Sequence, residues 1–136
     1  MLEKGESEEH RKIKLRLSTS FRNKGWTVER VDGEGEQTEL VKNENDVGDG
    51  EDKRPDVNAK DKGKGRVIRG EAKVDNGDFD SDHSITQYKL FSNRSSNGVS
   101  SWLIIGVPDG TKEKMEKVLS DNLDDESLKN IAVWEY

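Results

Sequence analysis

Apolar positions along the chain fall into two periods. His10, Ile13, Leu17 and Phe21 recur at helical spacing, with Glu6 one turn earlier on the same stripe. That pattern predicts a helix over 5–24, stopped by Gly25. Residues 26–31 alternate between apolar and polar, which predicts a strand. Arms at 54–59 and 66–74 flank a Gly- and Lys-rich turn, so they read as a hairpin. Ile85, Tyr88 and Phe91 predict a helix over 85–92. The most apolar run, Trp102-Leu103-Ile104-Ile105, predicts a central strand over 99–107. Met115, Val118 and Leu119 place a helix over 111–122, and 130–136 closes the chain as a strand. Two stretches break the pattern. Residues 32–53 are rich in glycine and carboxylates, which predicts a long mobile loop with one short edge strand at 38–42. Residues 75–82 read as an acidic loop. The order predicts a single α/β domain over 1–136, a mixed central sheet flanked by helices.

Composition narrows the function classes. With 136 residues and 29% of them apolar, the chain can build one core but not two. It has no cysteine, which excludes disulfides, thiolate zinc sites and cysteine nucleophiles. Its two histidines exclude an all-histidine metal site, so a metal would sit on oxygen ligands. No apolar run approaches the roughly 20 residues of a membrane span. The first residues lack the apolar core of a signal peptide, and the expected location is cytoplasmic.

Charge is uneven within a net −6. Residues 29–52 sum to −8, whereas residues 53–73 sum to +5. Within the basic segment, Lys60, Lys62, Lys64, Arg66 and Arg69 lead along the hairpin toward Glu71. Such a row suits contact with backbone phosphates.

The same segment carries the chemistry. Pro55-Asp56 begins one hairpin arm, and Glu71-Ala72-Lys73 ends the other, fifteen residues after Asp56. Alternation puts Glu71 and Lys73 on one strand face, with Ala72 toward the packed side. Hairpin pairing can bring Asp56 beside them. Two carboxylates suit a hard divalent ion such as Mg²⁺, with Mn²⁺ able to substitute. A lysine there can hold or deprotonate an attacking water, or neutralise charge on a phosphodiester.

These residues resemble the signature of the PD-(D/E)XK nucleases, which have the restriction-endonuclease-like fold. The resemblance implies that Asp56 and Glu71 ligate the metal and Lys73 serves catalysis. Many members add a glutamate from the first helix. Here the run from Glu6 to Lys14 is similar to such a helix, which makes Glu6, Glu9 and His10 candidates. Some members add a glutamine from the helix after the lysine strand, often as Gln-x-x-x-Tyr. Gln87 matches, although Phe91 stands where tyrosine would. Gln87 would support Lys73 or touch backbone phosphate. The implied activity is metal-dependent DNA endonuclease. A small stand-alone domain is similar to archaeal Holliday junction resolvases, which act as dimers, so a homodimer is expected. Those proteins are basic, unlike this one. The rival classes are a nucleic-acid-binding module of the same fold with little chemistry, and an interaction protein.

Three short matches are decoys. Glu51-Asp52-Lys53 repeats the Glu-x-Lys pattern but lies in the acidic loop. Pro108-Asp109 precedes a helix, where Asp109 or Thr111 is expected to cap it. The stretch from Asp75 to Asp82 suggests a calcium loop, but counted from Asp78 it has His83 where the glycine belongs and Lys89 where the final glutamate belongs. Trp26, Trp102 and Trp134 are expected to pack rather than to stack on bases.

Overall fold

The computed structural model describes residues 6–92 and 101–136. The start of the helix expected from residue 5, and of the strand expected from residue 99, lie outside these. The chain runs α1 (Glu8–Asn23), β1 (Thr27–Val31), β2 (Val57–Asp61), β3 (Arg66–Ala72), α2 (Asp82–Phe91), β4 (Trp102–Val107), α3 (Lys112–Asn122), α4 (Asp125–Leu128) and β5 (Ile131–Glu135). Five strands form one mixed sheet in the order β1-β2-β3-β4-β5. The first three are antiparallel neighbours, and β4 and β5 continue in parallel to β3. Among the described residues, no helix is long and apolar enough to cross a membrane.

Helices cover both faces. Helix α1 buries Ile13, Leu17 and Phe21 against one face, where Val57, Ile68 and Ile104 meet them. Helices α2 and α3 pack Tyr88, Phe91, Met115 and Leu119 on the other, against Leu103, Ile105 and Val107. Strand β4 therefore sends apolar side chains both ways, as a central parallel strand must. Near α1, Phe21 meets Trp26 and Trp134, and Trp26 also contacts Trp102. The tryptophans pack, as expected, although Trp26 precedes β1 rather than lying in it.

Gly106 lets α1 approach. A Cβ there would stand 2.8 Å from Ile13 Cγ2 and 2.9 Å from Leu17 Cγ. Gly106→Val is expected to cost about 3 kcal/mol, since an overpacked core must move backbone or force poor rotamers. Denaturant unfolding measures it, and a change under about 0.5 kcal/mol would show that α1 yields freely.

Several boundaries differ from the sequence reading. Strand β2 starts at Val57 rather than 54, since Pro55 has no N–H to give a ladder. Helix α2 starts earlier than 85, because the Ser81 side chain accepts from the Ser84 N–H and caps it. Thr111 sits at the α3 N-cap without a side-chain capping bond. Glu135 Oε2 takes the N–H groups of Gly110 and Lys112 instead, so the cap comes from β5. Helix α4 was not expected.

The segment 32–53 is not a free coil, and its expected edge strand reduces to one bridge between Val41 and Lys53. Near its start, Thr38 N–H donates to Asp32 Oδ1, Thr38 Oγ1 donates to the Pro55 carbonyl, and Glu34 pairs with Arg11. Near its end, Asp49 N–H donates to Thr86 Oγ1 on α2. Polar bonds to α1 and α2, together with Val41 and Val47 packed at the edge of the core, set its path.

Candidate active site

The N-terminus of α1, the approach to β2 and the exit of β3 meet at a cleft of about 330 Å³. Glu6, His10, Asp56, Glu71, Lys73 and Gln87 all line it. Val57 pairs with Gly70, so Asp56 falls opposite Glu71. Main-chain groups latch the two carboxylates together. Asp56 N–H donates to Glu71 Oε1 at 3.2 Å, and Ala72 N–H donates to Asp56 Oδ2 at 2.8 Å. Ala72 itself is fully buried on the α1 side, as the alternation requires.

Lys73 follows the last residue of β3. Its N–H still bonds the Gly106 carbonyl at 2.9 Å, which carries the β3 course into the cleft. Its Nζ lies 3.6 Å from Glu71 Oε2. Helix α2 supplies the rest of its shell. Ser84 and Gln87, three apart, share a helix face. Lys73 Nζ donates to Gln87 Oε1 at 2.6 Å and to Ser84 Oγ at 2.8 Å. Asp78 Oδ2 stands 3.5 Å away. Lys73 is only 4% exposed, yet every neighbour accepts, so it stands as a fully engaged donor.

Helix α1 supplies the opposite wall. Ser7 caps it through the His10 N–H, which leaves Glu6 just outside the first turn. His10 bridges two carboxylates, with Nδ1 2.7 Å from Glu6 Oε2 and Nε2 3.1 Å from Asp56 Oδ2. Burial pulls the ring down, but the Asp56 hydrogen bond and charge, then Glu71 and Glu6, push it up to about 9. The imidazole therefore carries both protons near neutrality.

The sequence reading missed what lies beneath. Lys14, 1% exposed, reaches Glu6 Oε2 at 2.7 Å, the Asp32 carbonyl at 2.7 Å and Glu34 Oε2 at 3.2 Å. Arg11 grips Glu34 as well. The signal was present, since position 14 follows His10 by four on the buried stripe. Glu9 does not join the site. It lies about 100° around the helix from His10. It is exposed and lines a separate groove with Arg11, Lys12 and Leu15.

Basic residues of the hairpin divide. Lys62 and Lys64 are exposed at the tip, Lys60 lies 3.7 Å from Glu29, and Arg66 covers the Trp102 ring at 3.9 Å. Strand β3 carries this tip about 20 Å from the cleft. Arg69 does not belong with them. Odd spacing from Arg66 turns it to the other sheet face. There it donates to the Phe91 carbonyl at 3.2 Å.

Asp56 and Glu71 are the residues that could hold a divalent ion in this cleft. Burial, then the Asp56 charge, holds the Glu71 carboxyl well above the usual carboxylate range. Glu6 Oε1 is buried without a hydrogen-bond partner. A cation would relieve both. Elsewhere, Asp49, Glu51 and His83 bring potential ligand atoms within 4.8 Å of one another. Their centre is taken by the Lys53 ammonium, 2.7 Å from Asp49 Oδ2 and 2.7 Å from His83 Nδ1. The decoy Glu51-Asp52-Lys53 is thus an internal clasp.

The His10 bridge gives the metal-free protein a pH signature. A raised histidine stabilises the fold fully below its free value of 6.5, and that contribution fades as pH climbs through about 9. His10→Ala should therefore lower the melting temperature most near about pH 6, with the gap closing by about pH 9.5. Melting curves of both proteins across this range decide it, and a gap that ignores pH would remove the charged bridge.

No family model, no curated protein and no solved structure matches the chain.

Proposed function

We propose that this chain is a Mg²⁺-dependent DNA endonuclease of the PD-(D/E)XK type. The observation that carries the reading is the convergence of Asp56, Glu71 and Lys73 in one cleft, latched by main-chain N–H groups and backed by Gln87. The mixed sheet, with α1 before it and α2 after the lysine, supports the restriction-endonuclease-like arrangement.

In this reading Asp56 and Glu71 hold the metal, and Glu6 completes its surroundings. The bound ion supplies charge neutralisation at phosphate and a lowered pKa for a water. Lys73 holds its ammonium beside Glu71, where it orients the attacking water and offsets charge on the reacting phosphate. Ser84 and Gln87 aim that ammonium. Lys60, Lys62, Lys64 and Arg66 contact the backbone farther along the duplex. One cleft cuts one strand at a time, and the proposed homodimer would bring a second cleft to the other strand.

Incubation of supercoiled plasmid and of labelled linear, nicked, flap, four-way and single-stranded DNA with Mg²⁺ or Mn²⁺ tests the activity. Cleavage that chelator stops is expected. Absence of cleavage on every substrate would sink the reading.

A further inference from the structure

The clasp around Lys53 has a second face. Lys53 is 3% exposed, and its Nζ lies 3.3 Å from Glu51 Oε2 as well as against Asp49 and His83. An ammonium can only donate, so His83 Nδ1 accepts. A ring that accepts at Nδ1 is neutral and carries its single proton on Nε2. The loop that delivers Lys53 is itself held. Asp49 N–H donates to Thr86 Oγ1 at 3.0 Å, and Thr86 Oγ1 donates to the Asp82 carbonyl at 2.7 Å. Burial, then the charges of Lys53 and Lys73, also hold the His83 pKa down, against the pull of Asp78 and Asp49.

His83 lines the same cleft as Glu71, Lys73 and Gln87. With Nδ1 engaged, the polar group it can offer a ligand is the Nε2 N–H. Among the charged groups near it, Lys73 is positive and Asp78 negative. The Asp78 carboxylate is half-exposed and 3.5 Å from Lys73 Nζ, so its charge is partly offset.

We propose that His83 is a substrate-contacting residue of this cleft, its Nε2 N–H donating to a non-bridging oxygen of a DNA backbone phosphate, with Lys53 as the positioning residue that sets its tautomer. The proposal rests on the nuclease reading and adds to it a contact on the α2 side. A neutral donor suits the task, because it recognises phosphate without competing for the metal as a free imidazole would.

The test uses the full chain and four proteins: wild type, His83→Ala, His83→Gln and Lys53→Met. Binding of a duplex oligonucleotide is measured in Ca²⁺, single-turnover cleavage in Mg²⁺, and the His83 ring nitrogens by ¹⁵N NMR. Wild type should show Nδ1 as acceptor and Nε2 protonated, with the Nε2 signal moving on addition of DNA. His83→Ala should weaken binding about tenfold or more, the scale of a lost hydrogen bond to a charged group. His83→Gln, which keeps an N–H donor, should recover most of it. Lys53→Met should scramble the ring's tautomer and weaken binding while His83 remains. Wild type that cleaves, beside a His83→Ala that binds and cleaves equally well, overturns the proposal and leaves the nuclease reading standing. So does a wild-type ring protonated on Nδ1. Wild type that cleaves nothing overturns the nuclease reading, and this proposal falls with it.

Discussion

Glu71→Gln is expected to abolish metal-dependent cleavage while raising the stability of the metal-free protein, and Asp56→Asn to abolish cleavage while giving up the charged bridge to His10. In Glu71→Gln the two effects share a cause. The folded chain holds Glu71 3% exposed beside a second carboxylate. Its pKa is raised by burial first and by the Asp56 charge second. A carboxyl raised in the folded state stabilises fully below its free value, and that contribution is lost as pH rises toward the folded value. Near neutral pH the wild-type fold therefore carries an electrostatic cost that glutamine, which cannot ionise, removes. The main-chain latch survives, since a glutamine Oε1 still accepts from the Asp56 N–H. The expected result is a higher melting temperature without metal, no further rise on adding Mg²⁺, and no cleavage. Wild type should gain stability from Mg²⁺ by binding linkage. Full activity in either purified variant would remove Asp56 and Glu71 from the site.

Lys73→Ala should lower single-turnover cleavage by roughly 10²–10³-fold, the scale of losing one preorganised electrostatic group. Its DNA affinity in Ca²⁺ should change little, because Lys73 is buried and already engaged by Gln87, Ser84 and Glu71. A variant neutralising Lys60, Lys62, Lys64 and Arg66 together should show the opposite pattern. Its binding should weaken and lose roughly 0.9 in log–log salt slope per lost contact, with turnover at saturating DNA preserved. The distinction follows from the length of β3, which separates the tip from the cleft. Arg69 is left out of this variant because it bonds the end of α2. Normal binding by the tip variant would make those charges ordinary surface, and normal cleavage by Lys73→Ala would end its catalytic assignment.

Residues close in sequence were the legible ones. Asp56, Glu71 and Lys73 could be placed together because a hairpin and a two-residue period determine who faces whom. Gln87 was reachable through family resemblance alone, since nothing in the helix period says that its amide meets a lysine. Glu9 failed because a single step around a helix moves a side chain off the stripe. Glu34, Lys53 and His83 were not legible. Their partners depend on the course of residues 32–53, which tertiary hydrogen bonds set. A composition that cannot build a core was read as free chain, yet Lys14, Arg11 and Thr86 give it anchors. Likewise α3 takes its cap from Glu135, more than twenty residues away.

All three tryptophans of the chain belong to one aromatic group. The Trp26 and Trp134 rings lie 6.3 Å apart and nearly parallel, inclined by 16°. Their ultraviolet transitions can couple, so the tryptophan part of the near-ultraviolet circular dichroism reports on a single place, whereas Tyr88 contributes from the other core. Trp26 follows α1, and Trp134 belongs to the last strand. The signal exists only while the first helix and the final strand are brought together. Intrinsic fluorescence has the same origin. Both optical probes should thus follow closure of the two ends of the chain.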